Sequence, residues 1–412
     1  MSSNSFSRLG SANAYDNAQR TLMSRQSTLA SQQENLTAGK RVLRASDDPT
    51  SAAQAERALN RISRIATDQR ALEAQRNSIT VAESTLGDIN DALQQFRELV
   101  VSAGNGSFSA TERKTIALQL TGLRDQIVSL ANKNDTNGQP LFGALGSALA
   151  PFVGPAGTAP DYTFNGLPGQ PSSADVSIPF ALDGDSAFML NTSRDGAYNV
   201  SVSPQTSALR TSGVTVTNSA LVNNSSFTIS NIVVVADPSP ATTSTATYDL
   251  AVPPAAATSV SVSSFPTGAM PITGIPGLSL KITGTPTAAD IITIKPSPSI
   301  FSVLDDAIRD IGNATNGVST GQAVSQALGN IDIGMGRVSA VRGQAGELLN
   351  RADRIDDSQS KRSIQMEADR SRAEDIDMVK GISDFQSQQT GYQAALQSYA
   401  QIQKLSLFNY IS

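Results

Sequence analysis

The side chains that could perform chemistry in this 412-residue chain are carboxylates, lysines and hydroxyls, because the sequence contains neither cysteine nor histidine. Thiolate and imidazole ligands for a metal, and catalytic groups of those two types, are therefore excluded. A serine–lysine dyad would need only residues that are present, but no local motif indicates one. We therefore expect no catalytic residue and no cofactor.

Two glycine-containing segments resemble nucleotide-binding loops but fail at a required position. The TAGK segment at residues 37–40 ends like a phosphate-binding loop, yet Glu34 occupies the first glycine position and Arg41 replaces the Ser or Thr after the lysine. The GMG segment at residues 334–336 begins like a dinucleotide fingerprint, but Ser339 stands at the third glycine position. Its helical surroundings favour close helix packing instead.

Three short acidic clusters are candidates for a cation site. The DGD segment at residues 183–185 lacks a further ligand at the spacing of a calcium loop, and it is typical of a surface turn. We interpret the aspartate pairs at residues 305–306 and 356–357 in the same way. The sequence therefore predicts no metal site.

The elements that surround these residues fall into three blocks of different composition. Ala, Gln, Leu, Arg and Glu dominate up to about residue 137 and again from about residue 300, with a helical period. Between them Glu is absent, and short β-branched runs at 214–217, 232–235 and 291–294 lie between turn residues. We predict an α+β fold, in which the N- and C-terminal arms form a long antiparallel helical coiled-coil bundle with an inserted β-rich domain.

The block boundaries predict five segments. Residues 1–45 form an N-terminal outer coiled-coil arm, which pairs with a C-terminal coiled-coil arm at residues 372–412. Residues 46–137 and 300–371 form the N- and C-terminal parts of the helical bundle. Residues 138–299 form the inserted β-rich domain.

Apolar residues recur at heptad spacing in the two outer arms, which is typical of a coiled-coil seam. The N-terminal seam comprises Tyr15, Leu22, Leu29 and Leu36, with Ala18, Gln26 and Gln33 between them. The C-terminal seam comprises Phe385, Gln389, Tyr392, Leu396 and Tyr399. Because glutamines interrupt both seams, an isolated terminal helix would bury little apolar surface. We expect the two ends to pair with each other and with neighbouring copies, and to order fully only on assembly.

The inner part of the bundle has a more regular repeat. Six apolar residues spaced by seven predict one long helix from about residue 51 to about residue 101: Ile65, Leu72, Ile79, Leu86, Leu93 and Val100. A similar stripe runs from Ile331 to Ile355 in the C-terminal block. The alternative for all these stripes is the ordinary core of a monomer with long helices.

Charge and hydropathy argue against nucleic-acid and membrane partners. The net charge is -5 and the pI is near 5.0, whereas a nucleic-acid footprint requires excess Lys and Arg. No apolar run approaches the roughly 18 residues of a membrane span. The first eight residues also lack the apolar core of a signal peptide. If the protein leaves the cytoplasm, we expect it to do so without a cleaved signal peptide.

Motifs in both arms resemble the terminal regions of the bacterial flagellin superfamily. The RASDDP segment at residues 44–49, with Asp47, Asp48 and Pro49, is similar to the family's junction between its outer and inner N-terminal helices. In the C-terminal arm the similar residues are Arg342, Asn350, Arg351 and the EDID segment at residues 374–377. Both motifs lie on predicted helical arms, in the family's order and at opposite ends of the chain.

Three details resemble the members of the superfamily that join hook and filament more than the filament flagellins. The first is the C-terminal ending, which contains Leu405, Leu407, Phe408 and Tyr410. The second is the pair of strand-like segments ITGTP at 282–286 and DIITI at 290–294. The third is proline rather than alanine after the two acids at residues 47–48.

The resemblance implies a non-enzymatic structural subunit of the extracellular flagellum, exported through the flagellar type III channel. The implied partners are further copies in a ring, flagellin, hook-associated protein 1 on the hook side and a flagellar export chaperone. A filament flagellin is the nearest alternative. A secreted adhesin or binding module on a flagellin-like scaffold is another, and an inserted zinc protease would need histidines that the chain lacks.

Overall fold

The computed structural model describes residues 4–157, 161–169, 174–238, 242–252 and 255–411; for helical residues 4–12, 14, 15 and 402–411 it describes the backbone alone. The chain forms two compact units. We call Met1–Arg70 with Asp356–Ser412 the arm unit, and Ala71–Ile355 the central unit.

Long helices occupy both ends of the described chain, as the heptad repeats predicted. The helices are α1 (Asn4–Ala38), α2 (Pro49–Ala103), α3 (Ala110–Ala131), α4 (Gly184–Phe188), α5 (Thr192–Asp195), α6 (Ile300–Asn313), α7 (Gly317–Glu374) and α8 (Met378–Ile411). Helix α1 ends before Gly39, whose φ of +69° glycine adopts without strain. Proline begins α2, where its missing N–H costs no helical hydrogen bond.

The helices of the arm unit pair in antiparallel fashion. Gly381 of α8 lies beside Leu36, near the end of α1, and Gly391 lies beside Arg25, further back along α1. Within the same unit, Gln69 of α2 donates a 3.4 Å hydrogen bond to Ser360 of α7. The coiled-coil bundle predicted from the sequence is therefore antiparallel.

The core of the central unit lies among α2, α3, α6 and α7. Ile79, Leu86 and Leu93 of the α2 repeat are completely buried there, as is Val338 of α7. Five aromatic side chains from the segment after α3 and from α6 join this core: Phe142, Phe152, Tyr162, Phe188 and Phe301. The first part of the 138–299 block thus packs against helices, and its described residues include the short strands β1 (Phe152–Val153) and β2 (Thr163–Phe164).

The second part of that block forms two antiparallel sheets with a shared apolar core. The strands are β3 (Tyr198–Ser203), β4 (Arg210–Thr211), β5 (Thr215–Val216), β6 (Phe227–Ala236), β7 (Thr243–Ala251), β8 (Thr258–Pro266), β9 (Ala269–Ile272), β10 (Leu278–Thr283) and β11 (Ile291–Pro296). One sheet has the order β3-β11-β6-β7-β8, and in the other β10 pairs with β4, β5 and β9. The inserted domain is therefore β-rich, as predicted.

Candidate assembly surface

The terminal helices α1 and α8 pack against each other. Leu22, Leu29 and Leu36 are half-buried on α1, and Phe385, Tyr392 and Tyr399 are half-buried on α8. A Cβ atom added to Gly381 would lie 2.9 Å from Leu36 Cδ2, so the missing side chain allows a close approach of the two helices.

The polar positions of this seam differ from the expected ones. Arg25 and Gln32 are half-buried on α1, whereas Gln26 and Gln33 are exposed. The residue three positions after Leu22 or Leu29 therefore faces α8, and the residue four positions after it does not. On α8 Gln388 is half-buried and Gln389 is exposed, for the same geometric reason.

A second apolar stripe on α8 faces solvent in the single chain. We call Met378, Ile382 and Leu396 the outer stripe; their exposed fractions are 46%, 45% and 42%. Leu396 thus lies beside the α1–α8 seam and not within it. The side chains of Tyr15, Leu405, Leu407, Phe408 and Tyr410 lie outside those that the structure describes.

The α1–α8 seam is incompletely buried. Among the described side chains of α1 and α8, every one is half-buried or exposed. In the central unit, by contrast, Ile79 and Leu86 of α2 have no exposed surface. The terminal pair therefore leaves apolar surface that further helices could cover.

A short pair of extended segments joins the two arms. Residues 39–42 follow α1, and residues 374–376 begin at the last residue of α7; we call these two segments the connector clamp. Arg41 N donates a 2.7 Å hydrogen bond to Glu374 O, and Ile376 N donates one of 3.1 Å to Gly39 O. The Lys40 ammonium forms an ion pair with the Glu374 carboxylate. The connection between α1 and α2 is thus hydrogen-bonded to the connection between α7 and α8.

The acidic motif after this clamp shapes the start of α2. Asp48 Oδ1 accepts hydrogen bonds from Ser51 N at 3.1 Å and from Thr50 Oγ1 at 2.7 Å, so Asp48 caps the helix. Hydrogen bonds from the Ser51 side chain and backbone, from Thr50 and from Arg41 hold the pKa of Asp48 well below its usual value. Asp47 Oδ2 accepts from Arg44 N at 2.9 Å and closes the preceding turn.

Three of the C-terminal motif residues, Arg342, Asn350 and Arg351, lie on the part of α7 that belongs to the central unit, whereas the EDID segment at residues 374–377 contributes to the connector clamp. Arg342 Nε forms a 2.8 Å ion pair with Glu83 Oε1 of α2. Arg351 Nη2 donates a 3.1 Å hydrogen bond to Ala174 O, and Asn350 is exposed. These contacts hold helices and loops of the central unit together.

A buried network in the central unit was not foreseen from the sequence. Tyr162 OH donates a 2.9 Å hydrogen bond to Asp305 Oδ2, and Arg124 Nη1 donates one of 2.9 Å to Tyr162 OH. Burial raises the pKa of Tyr162 to about 12 and also raises the pKa of Asp305. The network connects α3, α6 and the intervening segment, and we assign it a structural role.

The expected turn at residues 183–185 is a helix cap. Asp183 Oδ1 accepts a 3.1 Å hydrogen bond from Asp185 N at the start of α4. Within the described ranges no cluster of three or more acidic side chains has the geometry of a metal site. The described helices also include none that is both long enough and apolar enough to cross a bilayer.

Two known family regions match the ends of the chain. The bacterial flagellin N-terminal helical region matches residues 11–145, and the bacterial flagellin C-terminal helical region matches residues 328–411. Together the two matches cover more than half of the 412 residues.

Curated relatives include both junction and filament proteins. Flagellar hook-associated protein 3 of Salmonella typhimurium is 35% identical over 119 residues, which are 29% of this chain and 38% of that protein. Flagellin of Bacillus subtilis is 31% identical over 123 residues, which are 29% of this chain and 40% of that protein. The chain thus matches about two fifths of the length of these relatives.

Solved structures match over a larger share of the chain. The flagellar junction protein FlgL from Legionella pneumophila has a TM-score of 0.56 at 24% identity, covering 72% of this chain and 98% of that one. FlgL of Xanthomonas campestris has a TM-score of 0.56 at 21% identity, covering 76% and 98%. At these identities the likeness establishes the fold.

Proposed function

Because the chain belongs to the flagellin superfamily, we propose that it is a structural subunit that joins the hook of the bacterial flagellum to the flagellin filament. The incomplete burial of the α1–α8 pair is the observation that carries the proposal. A monomer would gain little from two terminal helices whose described side chains are at most half-buried.

The outer stripe supplies the surface for assembly. Met378, Ile382 and Leu396 would be covered by the terminal helices of neighbouring copies. Burial of apolar surface contributes about 25 cal/mol per Å², from which the entropy of ordering the arms is subtracted. The function is mechanical on this view, and α1 and α8 hold the ring together.

The partners follow from this position in the flagellum. A junction subunit contacts further copies of itself, hook-associated protein 1 on the hook side and flagellin on the filament side. It reaches the extracellular flagellum through the type III channel, guided by an export chaperone. Flagellins match at an identity close to that of hook-associated protein 3, so a filament subunit is the second candidate.

Electron microscopy of a strain that lacks the gene tests the proposal. We expect hooks without filaments and flagellin monomers in the medium, because flagellin cannot nucleate on a hook-side surface that lacks complementary terminal helices. Reintroducing the gene should restore filaments. Normal filaments on the deletion strain would contradict the junction assignment, and immunogold labelling along the whole filament would establish the filament subunit instead.

A further inference from the structure

Part of strand β6 has an open edge. On one side β11 pairs with Phe227, Thr228 and Ile229 only, whereas β7 accompanies β6 as far as Ala236. Beyond the irregularity after Ser230, residues 233–236 pair with β7 and with no second strand among the described residues. We call residues 233–236 the β6 edge.

The ribbon formed by β6, β7 and β8 has a second open edge, on the side of β8. Strand β8 is the last strand in the order β3-β11-β6-β7-β8. Its residues 258–262 pair with β7 in regular register, and their side chains are exposed or half-buried. We call residues 258–262 the β8 edge. The ribbon β6-β7-β8 is therefore bordered by unpaired backbone on both sides.

Neither edge carries a charged residue or a proline, and the irregularity of β6 after Ser230 lies before the β6 edge begins. The β6 edge carries Val233, Val234 and Val235, whose exposed fractions are 50%, 37% and 61%. The β8 edge consists of Thr, Ser and Val. Monomeric proteins usually protect such edges with lysine, proline or a bulge, and an uncharged apolar edge is a template for another strand. Both edges are thus suited to a strand partner.

We propose that the β6 edge of one copy pairs with the β8 edge of the neighbouring copy. Because β6 and β8 both run antiparallel to β7, they run in the same direction, and head-to-tail continuation of the sheet makes the new pair parallel. The contact is heterologous, so it can be repeated from copy to copy around a ring. This inference depends on the proposed function only for bringing copies side by side.

The short length of the edges identifies a second copy as the occupant. Stable interfaces between free proteins bury about 1,200–2,000 Å², which four or five paired residues cannot supply. A strand that arrives from solution would therefore dissociate quickly. Copies already held together by their terminal helices have a high effective concentration, at which a small additional contact forms.

Pairing of two identical β6 edges is the geometric alternative. Such a contact would be antiparallel and isologous, and it would close a dimer without using the β8 edge. It could not continue around a ring. The presence of two different open edges of similar length on one ribbon favours the head-to-tail arrangement.

Engineered cysteines test the contact without background, because the natural chain has none. Val233, Thr247 and Ser261 form one row across β6, β7 and β8. In one copy Val233 and Ser261 are two strand spacings apart, about 9.6 Å, which is too far for a disulfide. Assembled flagella that contain the double variant Val233→Cys/Ser261→Cys should give a ladder of cross-linked copies on oxidation.

The matched controls are the two single variants and the double variant Val233→Cys/Thr247→Cys, whose second cysteine lies on the central strand. We expect no ladder from any of them. A shift of two residues in the pairing between copies would bring Ser259, rather than Ser261, opposite Val233. A parallel experiment therefore uses Ser259→Cys in place of Ser261→Cys. The contact is disproved if neither β8 position cross-links in flagella shown by immunoblot to contain the protein, or if Val233→Cys alone gives dimers.

Antibody labelling of the same flagella keeps this test separate from that of the junction assignment. A ladder from protein located along the whole filament would support the strand contact and contradict the junction position. Protein located only at the base of the filament and without a ladder would support the junction position and contradict the strand contact.

Discussion

The guanidinium group of Arg41 donates a 2.8 Å hydrogen bond to the carbonyl oxygen of Ala373, which lies 332 residues further along the chain. The same group donates a 3.1 Å hydrogen bond to Ser51 Oγ in the first turn of α2. Arg41 therefore ties the start of α2 to the end of α7. Its planar fork suits this geometry better than a lysine would.

Substitution of Arg41 should open the connector clamp. In Arg41→Ala the backbone hydrogen bonds of the clamp lose the side-chain hydrogen bonds of Arg41 beside them. We therefore expect faster hydrogen exchange at the amides of residue 41, Val42 and Ile376. Arg41→Lys should give only partial protection. Arg20→Ala, which changes an exposed arginine of α1, is the control. Unchanged exchange at these amides in Arg41→Ala would contradict the role of the side chain.

The terminal helices of the purified subunit should be cleaved first in limited proteolysis. Their described side chains are half-buried or exposed, so local opening should cost much less free energy there than in the central unit. We expect a monomer by light scattering, and a protease-resistant core that lacks most of α1 and α8. Protection of both terminal helices in a confirmed monomer would disprove folding on assembly.

Leu396→Asp should block assembly without disturbing the single chain. Leu396 is 42% exposed on the outer stripe, so the new carboxylate would be solvated in the monomer and desolvated only against a neighbouring copy. Gln397→Asp places the same charge at an exposed polar position one residue away. Counting filaments by electron microscopy should separate the two variants. Filaments at normal frequency in a strain with secreted Leu396→Asp would remove this residue from the assembly surface.

Truncation of a leucine should lower the free energy of unfolding more in the central unit than in the terminal seam. Leu93 has no exposed surface, and Leu93→Ala should lower the free energy of unfolding by about 2–5 kcal/mol. Leu22 is half-buried in the single chain, so Leu22→Ala should have a smaller effect there. Urea denaturation followed by circular dichroism measures both. Equal losses would mean that the terminal seam is already complete in the monomer.

Asp306→Asn should stabilise the central unit at neutral pH. Burial raises the pKa of Asp306, so the folded state disfavours the ionised form, and this group contributes stability only at lower pH. That contribution is lost as pH rises through the raised pKa. Arg309 retains a partner in the variant, because its Nε lies 3.0 Å from Asp310 Oδ1.

Calorimetry over a pH series should therefore find a higher unfolding temperature for Asp306→Asn at pH 7. The difference from the natural protein should shrink as pH falls towards the ordinary pKa of aspartate. Asp91→Asn, at an exposed position of α2, is the control. A destabilised variant at pH 7 would mean that the ion pair of Asp306 Oδ1 with Arg309 Nη2, at 2.6 Å, outweighs the cost of burying the charge.

Helices were predicted more accurately than the contacts between distant segments. The heptads around Leu22 and Leu93 are local patterns, and each lies within a long helix of the structure. The seam position of Arg25 was missed because steps of three and four residues are equally compatible with a heptad. The pairing of Arg41 with Glu374, like the order of the β strands, depends on residues far apart in sequence, for which periodicity carries no information.

The connector clamp also sets an order of events during synthesis. Arg41 leaves the ribosome 332 residues before Ala373, a delay on the order of tens of seconds at bacterial elongation rates. Throughout that interval α1 has no α8 to pair with, and its polar Arg25 and Gln32 limit its tendency to associate with other nascent chains. A product that terminates before Glu374 can never close the clamp. The connector clamp can therefore close only in a chain that has been translated through the end of α7.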